Sequence, residues 1–134
     1  MAEQYILTLT PEQAQVVQMA CEMLARMEIG QFNIISEQLL DVSAMTIDEY
    51  CFRRDMANKA LELSACLIYG QNSYGMPDIS VKSDLHNRAW NVYQVLRYTR
   101  SWYENPKGGF TVNYDKPINL TNEPLPKCKI ERGE

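Results

Sequence analysis

Apolar side chains recur along most of this chain at the three- and four-residue spacing of amphipathic helices. The first run follows Thr10, a favourable N-cap residue, with Pro11 at the first helical position and Gln13 placed for a capping box. The pattern predicts a helix that extends to about Glu28 and ends near Gly30.

This first helix has apolar residues on two sides. The two rows consist of Val17, Cys21, Leu24 and Met27, and of Val16, Met19 and Met23. A helix that is apolar on two sides has to be covered on both. Because a chain of 134 residues has few elements to spare, we expect another copy of the protein to cover the second side.

Two further segments have helical patterns before residue 70. Residues 31–41 (QFNIISEQLLD) predict a second, shorter helix or a kinked continuation of the first. A third helix is expected to begin at Thr46, with Glu49 placed for another capping box, and to extend to about Tyr69. The residues expected to face the core from this helix are Ile47, Tyr50, Ala57, Leu61, Ser64 and Ile68.

A loop and a fourth helix follow. Glycines and a proline mark residues 70–80 (GQNSYGMPDIS) as a loop. The fourth helix is predicted to begin at Ser80 or Ser83 and to end before Pro106. The residues that predict its buried stripe are Leu85, Ala89, Val92, Leu96, Thr99 and Tyr103.

Alternating apolar residues predict short strands near both ends of the chain. Residues 4–10 (QYILTLT) and 110–114 (FTVNY) alternate, and residues 127–130 could form a last strand. The predicted fold class is therefore α+β and mostly helical. It has kinked N-terminal helices, a long C-terminal helix and a small antiparallel sheet made from the terminal strands, all in one domain over residues 1–134.

The composition limits which classes of ligand or partner we expect for this chain. The net charge of −4 argues against general binding of DNA or RNA, which draws on a broad basic surface, but allows a small anionic ligand. The N-terminal residues lack a basic lead and a long apolar run, so we expect neither a signal peptide nor a membrane span. The four cysteines are scattered, which favours free thiols in a reducing cytosol over a zinc site.

The sequence contains no familiar catalytic motif. His86 is the one histidine, and a surface position is more typical for it than a role as catalytic base. Phosphate-loop, zinc-protease and nucleophile-elbow motifs are absent from the sequence. We therefore expect a binding protein that is not an enzyme and uses neither a metal nor another cofactor.

The fourth helix carries the chemistry that a small anion would need. Its carboxamides offer directional donors and acceptors, its arginines offer charge, and its rings offer stacking surfaces. These residues are Asn87, Asn91 and Gln94, then Arg97 and Arg100, then Trp90, Tyr98, Trp102 and Tyr103. The alternative is that the amides are solvated and that the arginines complement the helix C-terminus. Tyr74, flanked by small residues, either presents its ring to a ligand or fills the core below its loop.

Four segments in order carry a resemblance to a known family. They are YILTLTPEQAQVV near the start, ARMEIGQF at 25–32, NSYGM at 72–76 and VYQVLRYTRSWYENPKGGFTVNYDKP at 92–117. The set resembles the first type of Thoeris anti-defence sponges, which are small phage proteins. The last segment, with its arginine, tryptophan, Asn-Pro and Gly-Gly in order, is the most specific of the four.

The resemblance implies a function and an assembly. Such proteins bind and sequester a cyclic ADP-ribose isomer, a signal of bacterial immunity, without cleaving it, and so act in the cytoplasm of the infected host. Their pockets lie between protomers, and dimers can build to hexamers. Some members also hold cyclic trinucleotides at separate sites. The alternatives are a phage enzyme that degrades such a signal and a structural or interaction protein without a ligand.

The resemblance and the residue chemistry together give the predicted ligand site. Arg97, in the QVLR element, matches a ligand-binding arginine of the family, and Arg26 matches an arginine on the partner side of the pocket. Tyr74 is placed to stack on adenine. Asn91 and Arg100 join the set through their positions on the fourth helix, although the family has other residue types near Arg100. A second ligand site is predicted at Arg53 and Arg54.

Overall fold

The computed structural model describes residues 3–79 and 84–133. Within these ranges the chain forms four α-helices and one short 3-10 helix. The α-helices are α1 (Pro11–Glu28), α2 (Ile34–Leu39), α3 (Ile47–Tyr69) and α4 (Asp84–Glu104), and the 3-10 helix is Val112–Tyr114.

The predicted capping box of α1 is confirmed, whereas α3 has the Thr46 cap without the reciprocal Glu49 contact that a capping box needs. Thr10 and Gln13 form a reciprocal capping box, with N···O distances of 3.2 and 2.9 Å between each backbone amide and the other side chain. Thr46 Oγ1 accepts a hydrogen bond from the Glu49 amide at 3.2 Å, which begins α3 one residue later. The predicted start of the fourth helix at Ser80 or Ser83 lies outside the described residues.

Helices α1 and α4 pack against each other in antiparallel orientation. Near one end of the pair, His86 Nδ1 lies 2.8 Å from the carbonyl oxygen of Ala25. Near the other end, Arg100 Nη1 donates to Gln18 Oε1 at 2.7 Å. Ala25 is completely buried and Ala89 nearly so, because small side chains let the two backbones approach closely.

Helix α3 joins this pair through α2 and the end of α1. The ring of Tyr69 meets Phe32 edge-on at 5.9 Å, and its hydroxyl donates to the carbonyl oxygen of Met27 at 3.0 Å. Ser36 of α2 donates to the side chain of Asn58. The contacts of α3 with the rest of the chain therefore come from one of its faces.

The predicted sheet is wrong for the described part of the chain. Its one β-bridge there is an isolated pair between Gln71 and Pro77, inside the loop that follows α3. Residues 3–10 have no regular secondary structure, and the side chains of Tyr5 and Ile6 are 97 and 93% exposed. The alternation identified residues that suit an extended backbone, yet a strand also needs a partner for its backbone groups.

The second predicted strand, residues 110–114, is instead a turn that packs against the ring of Trp102. Val112–Tyr114 forms a 3-10 turn, and Trp102 Nε1 donates to the Tyr114 carbonyl oxygen at 3.2 Å. The two rings meet edge-on at 5.4 Å. Gly108 turns the chain with φ of +77°, and a Cβ there would lie 2.6 Å from Trp102. The segment therefore folds back over α4. Residues 127–130 also lack strand structure.

The predicted core faces of α3 and α4 are only partly correct. Ile47 and Ile68 are exposed, whereas Ala65 and Cys66 are the buried residues of α3. In α4, Ala89 is buried as predicted, but Leu85 and Tyr103 are about half exposed. The buried residues of α4 are Ala89, Asn91, Tyr93, Gln94 and Val95. Apolar spacing alone did not reveal that polar residues of α4 face the C-terminal segment.

Within 3–79 and 84–133, no helix is at once long enough and apolar enough to cross a membrane.

Candidate functional site

A polar cleft of about 320 Å³ lies along the α1–α4 pair. Helix α1 supplies one wall and α4 the other, and one residue each from α2 and the 3-10 turn closes the ends. The lining residues are Gln15, Gln18, Met19 and Glu22, then Gln38, then Tyr93, Arg97, Arg100, Ser101 and Glu104, and finally Asn113. The cleft thus combines two arginines with carboxamides and carboxylates.

Arg97 has hydrogen-bonding capacity that the chain does not use. Its Nη1 donates to the hydroxyl of Tyr93 at 3.2 Å, and its guanidinium lies 4.9 Å from the centre of the Tyr93 ring. Its Nε is buried and has no hydrogen-bond partner among the described residues. Nearly all buried donors in folded proteins are paired, so an unpaired Nε on a residue that lines the cleft is an exception that calls for an explanation.

Arg100 lies one turn further along α4 and is held from both helices. Its Nη1 donates to Gln18 Oε1 on α1, and its Nη2 lies 3.7 Å from Glu104 Oε1. The Glu104 side chain is 69% exposed, so this ion pair is weak and readily exchanged. An anion in the cleft could therefore take the place of Glu104 beside Arg100.

Two adjacent rings lie between Arg26 of α1 and Arg97 of α4. The Arg26 guanidinium lies 5.5 Å from the Trp90 ring centre, and Trp90 lies 4.8 Å from the Tyr93 ring, which Arg97 covers. Arg26 is anchored by Glu22 Oε2 at 3.2 Å and by Gln31 Oε1 at 3.1 Å. Arg26 is therefore connected to Arg97 through the two rings, although it does not itself line the cleft.

The phenol on which Arg97 stacks carries no charge at pH 7. An ordinary tyrosine is already neutral there, and burial raises the pKa of Tyr93 further, although the positive charge of Arg97 opposes the increase. The charge of Arg97 is therefore not cancelled by the ring.

The side chain of Asn91 binds the C-terminal segment and lies outside the lining of the cleft. Its Nδ2 donates to Asn119 Oδ1 at 3.1 Å and to Thr121 Oγ1 at 3.3 Å, while its Oδ1 accepts from the Leu120 amide at 3.1 Å. The residue is only 3% exposed. As a ligand residue it stays a prediction, but both of its amide atoms are already bonded within the chain.

Gln94 repeats this arrangement one turn later. Its Nε2 donates to the Ile118 carbonyl oxygen at 2.9 Å, and its Oε1 accepts from the Ile118 amide at 3.0 Å. The two buried carboxamides thus bind residues 118–120 much as a neighbouring strand would. The sequence-based alternatives for these amides, ligand contact or solvation, did not include this role.

Three other predicted site residues lie apart from the cleft lining. Tyr74 is 89% exposed in the loop after α3, where Asn72 Oδ1 accepts from its backbone amide at 2.9 Å. Arg54 pairs with Asp55 at 3.2 Å and lies 5.3 Å from the Tyr50 ring centre. Arg53 is exposed on the same helix. The structure therefore brings together Arg97 and Arg100, with Arg26 beside them.

The ligand site predicted from the sequence did not include the residues of α1 that line the cleft. Gln18 and Glu22 are four residues apart and share one face of α1, so their proximity to each other could be expected. Their position opposite Arg97 and Arg100 depends on how α1 and α4 are paired. No pattern within either helix specifies that pairing.

His86 has a structural position between the two helices. Its Nδ1 donates to the Ala25 carbonyl oxygen, which fixes the proton on that nitrogen, and its ring stacks on Trp90 at 6.4 Å. It does not line the cleft. Among the described residues, no three His, Cys, Asp or Glu side chains are grouped as metal ligands, and the four cysteines are free thiols.

Comparison with protein families, with curated proteins and with solved structures found no match to this chain.

Proposed function

We propose that this protein is a non-catalytic phage sponge that sequesters a cyclic ADP-ribose isomer, such as glycocyclic ADP-ribose, and so blocks bacterial immune signalling. The proposal joins the resemblance to Thoeris anti-defence sponges with the chemistry of the α1–α4 cleft. Cyclic oligonucleotides are a second class of ligand for such a protein, with Arg53 and Arg54 as the proposed contacts. The place of action is the cytoplasm of the infected host.

The observation that carries the proposal is the half-satisfied guanidinium of Arg97. One of its nitrogens bonds to a neutral phenol, and Nε is buried without a partner. A phosphate oxygen is the acceptor that such a group binds best, because arginine hydrogen bonds to phosphate are charge-assisted. With Arg100 three residues along the helix, the cleft offers two cations to a pyrophosphate.

The other residues of the cleft suit the remainder of such a ligand. Gln15, Gln18, Gln38 and Asn113 can donate to or accept from ribose hydroxyls and base edges. Tyr93 also lines the cleft, but its ring is buried beneath Arg97 and packs on Trp90, so its part in binding is to support the Arg97 guanidinium. Glu22 and Glu104 are acceptors for ribose hydroxyls.

The two alternatives, an enzyme that degrades the signal and a structural protein without a ligand, are less well supported by these residues. For an enzyme that degrades the signal, the one histidine is held by the Ala25 carbonyl and stacks on Trp90, outside the cleft lining. In a structural protein without a ligand, the buried Nε of Arg97 would stay without a protein partner, which is uncommon in folded proteins. Both alternatives remain outcomes of the experiment below.

The test follows the fate of the ligand. The protein is incubated with a cyclic ADP-ribose isomer and a chelator, separated from free ligand, and denatured by heat. We expect the released nucleotide to keep its mass and retention time and still to activate its effector. A ligand at 100 times its dissociation constant should also stabilise the fold by about 2.7 kcal/mol.

Other outcomes would select the alternatives. A hydrolysed product that increases with incubation time and is lost in a His86→Ala variant would identify an enzyme. A protein that captures no nucleotide and shows no thermal stabilisation would have no ligand of this class, and the sponge proposal would be withdrawn.

A substitution at Glu22 tests the same cleft, with a smaller expected change in affinity. Its carboxylate anchors Arg26 and lines the cleft that an anion must enter. Glu22→Gln should strengthen binding of an anionic ligand roughly three- to tenfold, since it removes a like charge worth about 1 kcal/mol. Titration calorimetry measures the change. Glu12→Gln, in the first turn of the same helix, is the control and should leave the affinity unchanged.

A further inference from the structure

We infer that residues 105–114 form a fixed loop that holds the side chain of Asn113 at the end of the α1–α4 cleft, where it contacts the uncharged part of the nucleotide. Trp102 is the positioning residue, because it anchors this loop to α4. The inference rests on the proposed function, since it adds a contact for the same ligand. Asn113 is not among the site residues predicted from the sequence.

The carboxamide of Asn113 has both of its polar atoms available. Asn113 lies in the 3-10 turn Val112–Tyr114, lines the cleft and is exposed. In the described part of the chain, its side chain makes no hydrogen bond. The carboxamide of Asn91 is different, because the C-terminal segment occupies both its nitrogen and its oxygen. Asn113 can therefore donate to a ligand and accept from it without giving up a bond within the chain.

Hydrogen bonds within the loop fix its conformation. Asn105 Nδ2 donates to the Gly108 carbonyl oxygen at 2.8 Å, and the Gly108 amide donates to the Asn105 carbonyl oxygen at 2.9 Å. The Tyr114 amide donates to the Thr111 carbonyl oxygen at 3.2 Å, which closes the 3-10 turn around Asn113. Because the backbone is bonded on both sides of Asn113, the loop presents that residue in a defined position.

The ring of Trp102 joins this loop to α4. Its Nε1 donates to the Tyr114 carbonyl oxygen at 3.2 Å, and the Trp102 and Tyr114 rings meet edge-on at 5.4 Å. The loop also passes so close to Trp102 that a Cβ at Gly108 would lie 2.6 Å from the indole. Ser101, the residue before Trp102, lines the cleft. Trp102 therefore fixes the loop relative to the helix that carries the two arginines of the cleft.

The chemistry of Asn113 indicates which part of the ligand it contacts. A phosphate group accepts hydrogen bonds, and Arg97 and Arg100 supply charged donors for it. A neutral carboxamide both donates and accepts, which suits a ribose hydroxyl or a base edge. The contribution of Asn113 to affinity should therefore change little with salt, whereas that of the arginines should decline as salt is added.

The test is a double-mutant cycle, measured by titration calorimetry with glycocyclic ADP-ribose. Asn113→Ala should lower the affinity about two- to tenfold, the range for one neutral hydrogen bond, and by the same factor at low and high salt. Trp102→Ala keeps Asn113 but releases the loop, so the affinity should fall at least as much. Adding Asn113→Ala to Trp102→Ala should cause no further loss, because the same contact is already lost.

A second variant tests the same connection from the side of the loop. A Cβ at Gly109 would lie 2.6 Å from the Tyr114 ring, so Gly109→Ala must shift the turn while Trp102 is unchanged. The affinity should fall as it does for Trp102→Ala, and Asn113→Ala should again add no further loss. Circular dichroism checks that each variant is folded, and the Gly109→Ala cycle decides the matter if Trp102→Ala does not fold.

Two controls and three outcomes complete the test. Asn122→Ala removes an exposed carboxamide outside the cleft lining, and Gly133→Ala adds a Cβ with nothing within 4 Å, so neither should change the affinity. An Asn113→Ala protein with native affinity would overturn the inference and leave the proposed function standing. If Asn113→Ala keeps its full effect in the Trp102→Ala and Gly109→Ala proteins, Trp102 does not position Asn113. A native protein that binds no nucleotide would overturn the proposed function and this inference with it.

Discussion

Arg97→Ala should reduce the affinity for a cyclic ADP-ribose isomer about ten- to a hundredfold, because a charge-assisted hydrogen bond is worth about 1.5–3 kcal/mol. The same change should have little effect on the fold. It removes a buried Nε that has no partner, one hydrogen bond to the Tyr93 hydroxyl and one cation–π contact, and each of the two contacts is worth about 0.5–1.5 kcal/mol. Titration calorimetry measures the affinity, and chemical denaturation measures the free energy of unfolding.

Two further variants make the Arg97 result specific. Arg97→Lys keeps the positive charge but loses Nε and the planar fork, so its affinity should lie between those of the native and alanine proteins. Arg88→Ala removes the same charge from the same helix at an exposed position paired with Glu123, and binding should not change. If Arg88→Ala weakens binding as much as Arg97→Ala does, the effect is general electrostatics and Arg97 is not a ligand contact.

Asn91→Leu should lower the free energy of unfolding by about 1–3 kcal/mol, because it leaves buried hydrogen-bonding groups without partners. The amide of Leu120 and the side chains of Asn119 and Thr121 all bond to Asn91. The change should release the C-terminal segment, so limited proteolysis near residues 118–121 should become faster. Denaturant titration and peptide mapping measure the two effects.

The control for this prediction is Asn87→Leu, one turn earlier on α4 and half-buried. It should leave the proteolysis pattern near native. An Asn91→Leu protein with native stability and an intact C-terminal segment would show that the carboxamide does not fasten the tail. If that variant also lost ligand affinity, Asn91 would have to be placed in the binding site, as the sequence predicted.

The boundaries of α1 and α3 could be predicted because the residues that set each boundary lie within a few positions of it. Thr10 with Gln13, and Thr46 with Glu49, satisfy amides within four residues of themselves, so the caps follow from the sequence at those positions. Gly30, with φ of +81°, ends the turn after α1 for the same kind of reason. Within the described residues, the positions of α1 and α3 therefore agree with the prediction to within about one residue.

The predicted sheet failed because strand formation is not local. Residues 4–10 and 110–114 have the right alternation, but that pattern says nothing about which segment lies beside them. In the folded chain, Trp102 donates a hydrogen bond to the carbonyl oxygen of Tyr114, in the turn that residues 110–114 form. The buried side chains of Gln94 and Asn91 bind residues 118–120. Side chains of α4 thus bind backbone groups of the C-terminal part of the chain, and residues 110–114 form a turn without a neighbouring strand.

The starts of α1 and α3, and the position of Arg97 and Arg100 one turn apart on α4, could be read from the chain without its fold. That α1 faces α4, and that Gln18 and Glu22 complete a cleft with those arginines, depends on how the helices pack. The packing also decides that Asn91 turns to the C-terminal segment and that Tyr74 stays exposed. The reason is physical: caps depend on atoms a few residues apart, whereas a cleft depends on which distant faces pack together.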